Sequence, residues 1–98
     1  YPNPFNPSTV IPFELATGDE SSRVQLEIFN LLGQRIRTLV DARVRPGAHE
    51  IAWDGRDREG RAAASGIYIY RLSIGGSEDG AAVGATPLVL FRRLLLLH

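Results

Sequence analysis

Gly66-Ile67-Tyr68-Ile69-Tyr70-Arg71-Leu72-Ser73-Ile74 decides the fold. Tyr68, Tyr70, Leu72 and Ile74 fall on one side of a period of two, while Ile67, Ile69, Arg71 and Ser73 fall on the other. β-Branched and aromatic residues dominate both sets, and Gly66 opens the run. This is the pattern of an extended strand whose neighbours lie in a sheet.

Working back towards the N-terminus, the same alternation recurs. His49, Ile51 and Trp53 share a face after the turn signal Arg45-Pro46-Gly47. The polar run Asp54-Gly55-Arg56-Asp57-Arg58-Glu59-Gly60-Arg61 then reads as a loop, with Gly55 and Gly60 at special φ. Residues 35–40 form a less regular strand, and Asn30-Leu31-Leu32-Gly33-Gln34 is a turn. Before it, Val24, Leu26 and Ile28 point inward and Gln25 and Glu27 outward. Thr9, Ile11, Phe13 and Leu15 line one face of the first strand. Pro12 within it donates no ladder hydrogen bond, which places that strand at an edge or bulge. The stretch Tyr1-Pro2-Asn3-Pro4-Phe5-Asn6-Pro7 is expected to be extended and stiff, with Tyr1 and Phe5 available to cover the end of the core. Short alternating strands separated by turns predict an all-β antiparallel sandwich of about seven strands, immunoglobulin-like or fibronectin III-like.

The chain has 98 residues, which suits a single domain over residues 1–98 with one modest core. Lys and Arg together number 11 and so do Asp and Glu, giving zero formal charge. All of the basic residues are Arg, and no broad cationic footprint for nucleic acid emerges. Cys is absent, which removes disulfides and thiolate metal sites. Met is absent too, even at position 1, pointing to a processed product or a piece of a longer chain. No signal peptide is visible, and no apolar run approaches the ~20 residues of a spanning helix.

Towards the C-terminus, residues 75–87 are rich in Gly and Ala and read as a flexible connection. Residues 88–98 are expected to form an apolar final strand; Leu propensity alone would also allow a helix over Pro87–His98, but the length and the preceding all-β pattern favour the strand. Leu88, Leu90, Leu94 and Leu96 occupy one face, while Val89, Phe91, Leu95 and Leu97 occupy the other; Arg92 and Arg93 interrupt them. Such a strand carries more apolar surface than one small core takes up, so a second covering surface is expected.

The sequence offers little for catalysis or cofactors. Asp54, Asp57 and Glu59 have the residue types of a calcium loop, yet Arg56, Arg58 and Arg61 interleave with them. His49, Asp54 and Ser65 have the types of a hydrolase triad, but no nucleophile elbow surrounds any Ser. His49 shares its face with Ile51 and Trp53, which suits a packed or rim histidine. Trp53 reads as a core anchor. No phosphate-binding glycine loop is present. The expectation is a chain without catalytic residues, metal or cofactor, and without nucleic-acid or small-molecule partners.

Tyr1-Pro2-Asn3-Pro4-Phe5-Asn6-Pro7-Ser8-Thr9, Asn30-Leu31-Leu32-Gly33-Gln34, Trp53-Asp54-Gly55-Arg56-Asp57 and Ser65-Gly66-Ile67-Tyr68 stand together in the order of a known module. In them the chain resembles the C-terminal sorting domain of type A cargo of the type IX secretion system. It is similar as well to the immunoglobulin-like domain of the flagellar hook-capping protein. The ending Phe91-Arg92-Arg93-Leu94-Leu95-Leu96-Leu97-His98 looks like the basic-then-apolar terminus of sorting domains. Residues 75–87 are longer than the connection usual there, and His98 stands where Lys or Arg is more typical.

The sorting-domain resemblance implies an extracellular or cell-surface protein of a Gram-negative bacterium. Its C-terminal module would engage secretion machinery or cell-surface components. A second expectation is a structural subunit of an extracellular filament, a homo-polymer built by exchange of the C-terminal strand. Either way, the sorting or assembly interface is expected at Leu88, Leu90, Phe91, Arg92, Arg93, Leu94, Leu95, Leu96 and Leu97.

Overall fold

A computed structural model describes residues 9–15, 22–75 and 88–97. The expected extended arm before Thr9 and most of the expected flexible connection, residues 76–87, lie outside the described residues. So does His98.

Among the described residues there are six strands and no helix. They are β1 (Thr9–Leu15), β2 (Ser22–Phe29), β3 (Arg35–Val44), β4 (Gly47–Trp53), β5 (Gly66–Ile74) and β6 (Leu88–Leu96). All pairings are antiparallel, in a two-stranded sheet β1-β4 and a four-stranded sheet β3-β2-β5-β6. The all-β expectation therefore holds, with six described strands in place of about seven.

The core lies between the sheets, and the alternation puts it there. Ile11, Phe13 and Leu15 from β1 and Trp53 from β4 meet Val24, Leu26 and Ile28 from β2. Tyr68 and Leu72 from β5 and Leu96 from β6 complete the buried cluster. β1 pairs with β4 from Thr9↔Trp53 to Leu15↔Gly47, so inward residues of the two strands face each other. Only Arg45 and Pro46 separate β3 from β4, and at this corner the chain passes from one sheet to the other.

Trp53, fully buried, anchors one end of the core. Its ring meets Tyr68 edge-on at 5.2 Å between centroids, and its Nε1 donates to the Arg56 carbonyl at 3.0 Å. The Tyr68 hydroxyl donates to the Ala64 carbonyl at 2.6 Å. Both aromatic residues thus bury their rings while fastening the β4–β5 loop through their polar ends.

That loop is folded by its own acids. Asp54 Oδ1 accepts from the Arg56 N–H, and Asp57 Oδ1 accepts from the N–H groups of Glu59 and Arg61. Gly55 and Gly60 take φ of 76° and 84°, a region that side chains with a Cβ rarely adopt. The Arg58 N–H donates to the Ile36 carbonyl at 3.1 Å and ties the loop to β3.

Candidate functional site

β6 runs antiparallel to β5 over nine consecutive pairs, Gly66↔Leu96 to Ile74↔Leu88, with no register shift. It forms one end of its sheet, so its far side has no strand partner among the described residues. Alternation sorts its side chains. Leu90 and Leu94 are half-buried against the core and Leu96 is 1% exposed. Phe91 (58% exposed), Leu95, Leu97 and Val89 lie open, as does Leu88 at the start of the strand. Arg92 and Arg93 are exposed on opposite faces, and neither has an ion-pair partner among the described residues.

The outward face continues across the sheet. Leu95 lies beside Ile67, Arg93 beside Ile69 and Phe91 beside Arg71. Next come Phe29 beside Ile69 and Glu27 beside Arg71. Val89, Phe91, Leu95, Ile67, Ile69 and Phe29 thus share this face with Arg93, Arg71 and Ser73. At its border lies a polar node that the sequence reading missed. Glu27 is only 6% exposed, although it points away from the core. It accepts from Arg71 and, at 3.0 Å, from Arg35. The Arg71 guanidinium also lies 5.5 Å from the Phe29 ring centroid, over its face. The signal was the register itself: acid, arginine and aromatic meet only once β3, β2 and β5 are aligned.

A second surface feature lies where the β4–β5 loop meets β3. It is a groove of about 400 Å³ lined mainly by Arg35, Arg37, Arg56, Arg58, Asp54 and Asp57. Arg37 is held by Asp54 at 2.9 Å and by the Arg56 carbonyl. Arg56 donates to the Gly60 carbonyl at 2.9 Å, and Arg61 pairs with Asp57. The groove is built mostly from residues that hold the loop in shape.

The remaining sequence candidates occupy structural positions. The His49 ring stacks on Phe13 at 5.4 Å, and its Nε2–H donates to the Arg45 carbonyl at 2.7 Å. That bond clips the corner between β3 and β4. Asp54 is engaged by Arg37 and by the backbone of its own loop, and Ser65 is exposed just before β5. The structure brings the expected interface residues onto one strand but divides them: Leu90, Leu94 and Leu96 serve the core, and the others face out.

This division corrects the strand-exchange expectation. The apolar excess of the terminal segment is not a donated arm, because β6 completes its own sheet and its inner leucines fill their own core.

The sequence model of the FlgD Ig-like domain matches residues 4–79. Curated relatives include the basal-body rod modification protein FlgD of Salmonella typhimurium and that of Salmonella typhi. Each is 28% identical over 81 residues, which cover 83% of this chain and 34% of the relative. The chain thus spans about a third of the length of these relatives. The family match covers most of the chain, and the chain belongs to the FlgD Ig-like domain family. Of the two resemblances drawn from the motifs, the flagellar one stands. The sorting-domain function and the secretion-machinery partner are corrected, since family and relatives point to the flagellum instead. The homo-polymer falls with them.

Proposed function

We propose, from this membership of the FlgD Ig-like domain family, that the chain is an interaction module in the assembly of the flagellar rod and hook. It acts outside the cytoplasm, at the surface of a Gram-negative cell, and it docks proteins without performing catalysis. The family match over residues 4–79 carries this reading. The names of the relatives, basal-body rod modification proteins, agree with it.

The β6 side of the four-stranded sheet is the docking surface in this proposal. Phe91, Arg92, Arg93, Leu95 and Leu97 contact the partner, whereas Leu90, Leu94 and Leu96 hold the strand in place. Several large apolar side chains are exposed there beside two arginines, and such exposed apolar surface commonly marks an interaction site.

The test is an in-frame deletion of this segment from its chromosomal gene, followed by electron microscopy of rods and hooks and a swimming assay. Loss of hooks and motility, restored by the intact gene, is the expected result. Normal hooks and motility in the deletion strain would overturn the proposal.

A further inference from the structure

The sheet edges differ in how open they are to a further strand. β1 carries Pro12, which interrupts any ladder on an edge. β3 contains two register irregularities against β2, and its Ile36 carbonyl is taken by the Arg58 N–H of the loop. β4 presents Ala48, Glu50 and Ala52 on its outer face, with little apolar surface. β6 has no proline and no bulge, and its pairing with β5 is unbroken. Among the described residues no strand is paired to its other edge, though β1 approaches β6, and that edge offers backbone donors and acceptors beside exposed Phe91, Leu95 and Val89.

Charge says what fits that edge. Arg92 and Arg93 stand at the middle of β6 on opposite faces, both exposed and both without a carboxylate partner among the described residues. Glu27, the acid on the outward face of the neighbouring strands, is already engaged by Arg35 and Arg71. A second copy paired about the middle of the strand is a poor occupant. Antiparallel self-pairing centred on either arginine sets it against its own counterpart, and like charges directly opposite destabilise a ladder.

We infer that the β6 edge receives an extended segment of a partner protein as a fifth strand, and that this segment carries adjacent acidic residues flanked by apolar ones. The inference rests on the proposed docking role of β6 and specifies the partner's chemistry. Main-chain hydrogen bonds supply the ladder. The two acids meet Arg92 on one face and Arg93 on the other, and apolar residues at alternate positions cover Phe91 and Leu95.

A short synthetic peptide with Val and Thr alternating about a central Glu-Glu pair serves as the probe, titrated into the isotopically labelled full chain. The expected result is amide shifts concentrated on residues 88–96. Arg92→Glu with Arg93→Glu should weaken binding by about tenfold or more, because two charge-assisted contacts turn repulsive. The same peptide carrying Lys-Lys should then bind the reversed protein. Both arginines are exposed, so the amide spectrum away from β6 should stay unchanged. Independently of any variant, binding to the natural chain should fall as salt rises. No shifts on β6, binding indifferent to salt and charge reversal, or dimerisation through β6 in sedimentation would each overturn the inference. Loss of hooks on deletion combined with no peptide binding removes only the fifth strand. Peptide binding combined with normal hooks removes the flagellar role.

Discussion

Glu27 shows how a residue can satisfy the alternation rule and still be misjudged by it. Its place between Leu26 and Ile28 puts it on the outward face, where the sequence pattern expects solvent. Arg35 from β3 and Arg71 and Phe29 from the sheet close over it instead, and only the three-strand register brings them there. Glu27→Gln keeps the shape and removes the charge from a buried acceptor of two guanidinium groups. It should lower stability by about 1–3 kcal/mol, as for hydrogen bonds to charged groups. Arg71 carries most of that effect, because the Arg35 side chain is half exposed and well screened. Urea denaturation of both proteins checks it, and an unchanged midpoint would show the node to be ornamental. Trp53 is the opposite case, since its burial was plain from the sequence and its hydrogen bond was not. Trp53→Phe leaves a gap beside Tyr68 and removes one of the two donors to the Arg56 carbonyl, the other being Arg37. A loss of about 2–4 kcal/mol is expected from cavity and lost hydrogen bond together, read from the same denaturation curves.

Among the elements, β6 is the hardest to interpret, since its leucines also suit a helix. Its two apolar faces were legible residue by residue, and so was the arginine pair that divides them. Which face belonged to the core was not, because period two assigns residues to sides without saying what lies on each side. The register with β5 decides it: Leu94 lies beside Tyr68 and Leu90 beside Leu72, so the even-numbered leucines turn inward. A paired truncation makes this measurable. Leu96→Ala should cost about 2–5 kcal/mol as a core deletion. Leu95→Ala, one residue away and exposed, should stay within about 0.5–1 kcal/mol. Similar losses from both in thermal or chemical unfolding would mean that the strand sits in another register. The β4–β5 loop was read well for a different reason. Its glycines and aspartates encode their own local turns, so no distant partner was needed to foresee them.

For the whole molecule, the question is whether the final strand is an appendage or a structural part. An appended signal can be trimmed without consequence, and a donated arm must leave its own sheet at modest cost. β6 fits neither description. It carries nine ladder pairs with β5 and places Leu90, Leu94 and Leu96 against Leu72, Tyr68 and the opposite sheet. Leu96, fully buried, is worth about 2–5 kcal/mol as a core leucine, and the half-buried Leu90 and Leu94 add smaller amounts. That is a large share of the net stability of a small domain, about 5–15 kcal/mol, before the lost β5–β6 ladder is counted. A chain ending at Gly75 should therefore fail to fold cooperatively, losing amide dispersion in its NMR spectrum and its sharp unfolding transition. A truncated chain that kept both would return β6 to the status of a tail. The same magnitudes bear on assembly. Removing β6 without replacing it would unfold the domain, whereas adding a strand beside it leaves the core intact. A docking mode that extends the sheet, as inferred above, therefore keeps every core contact of β6 in place.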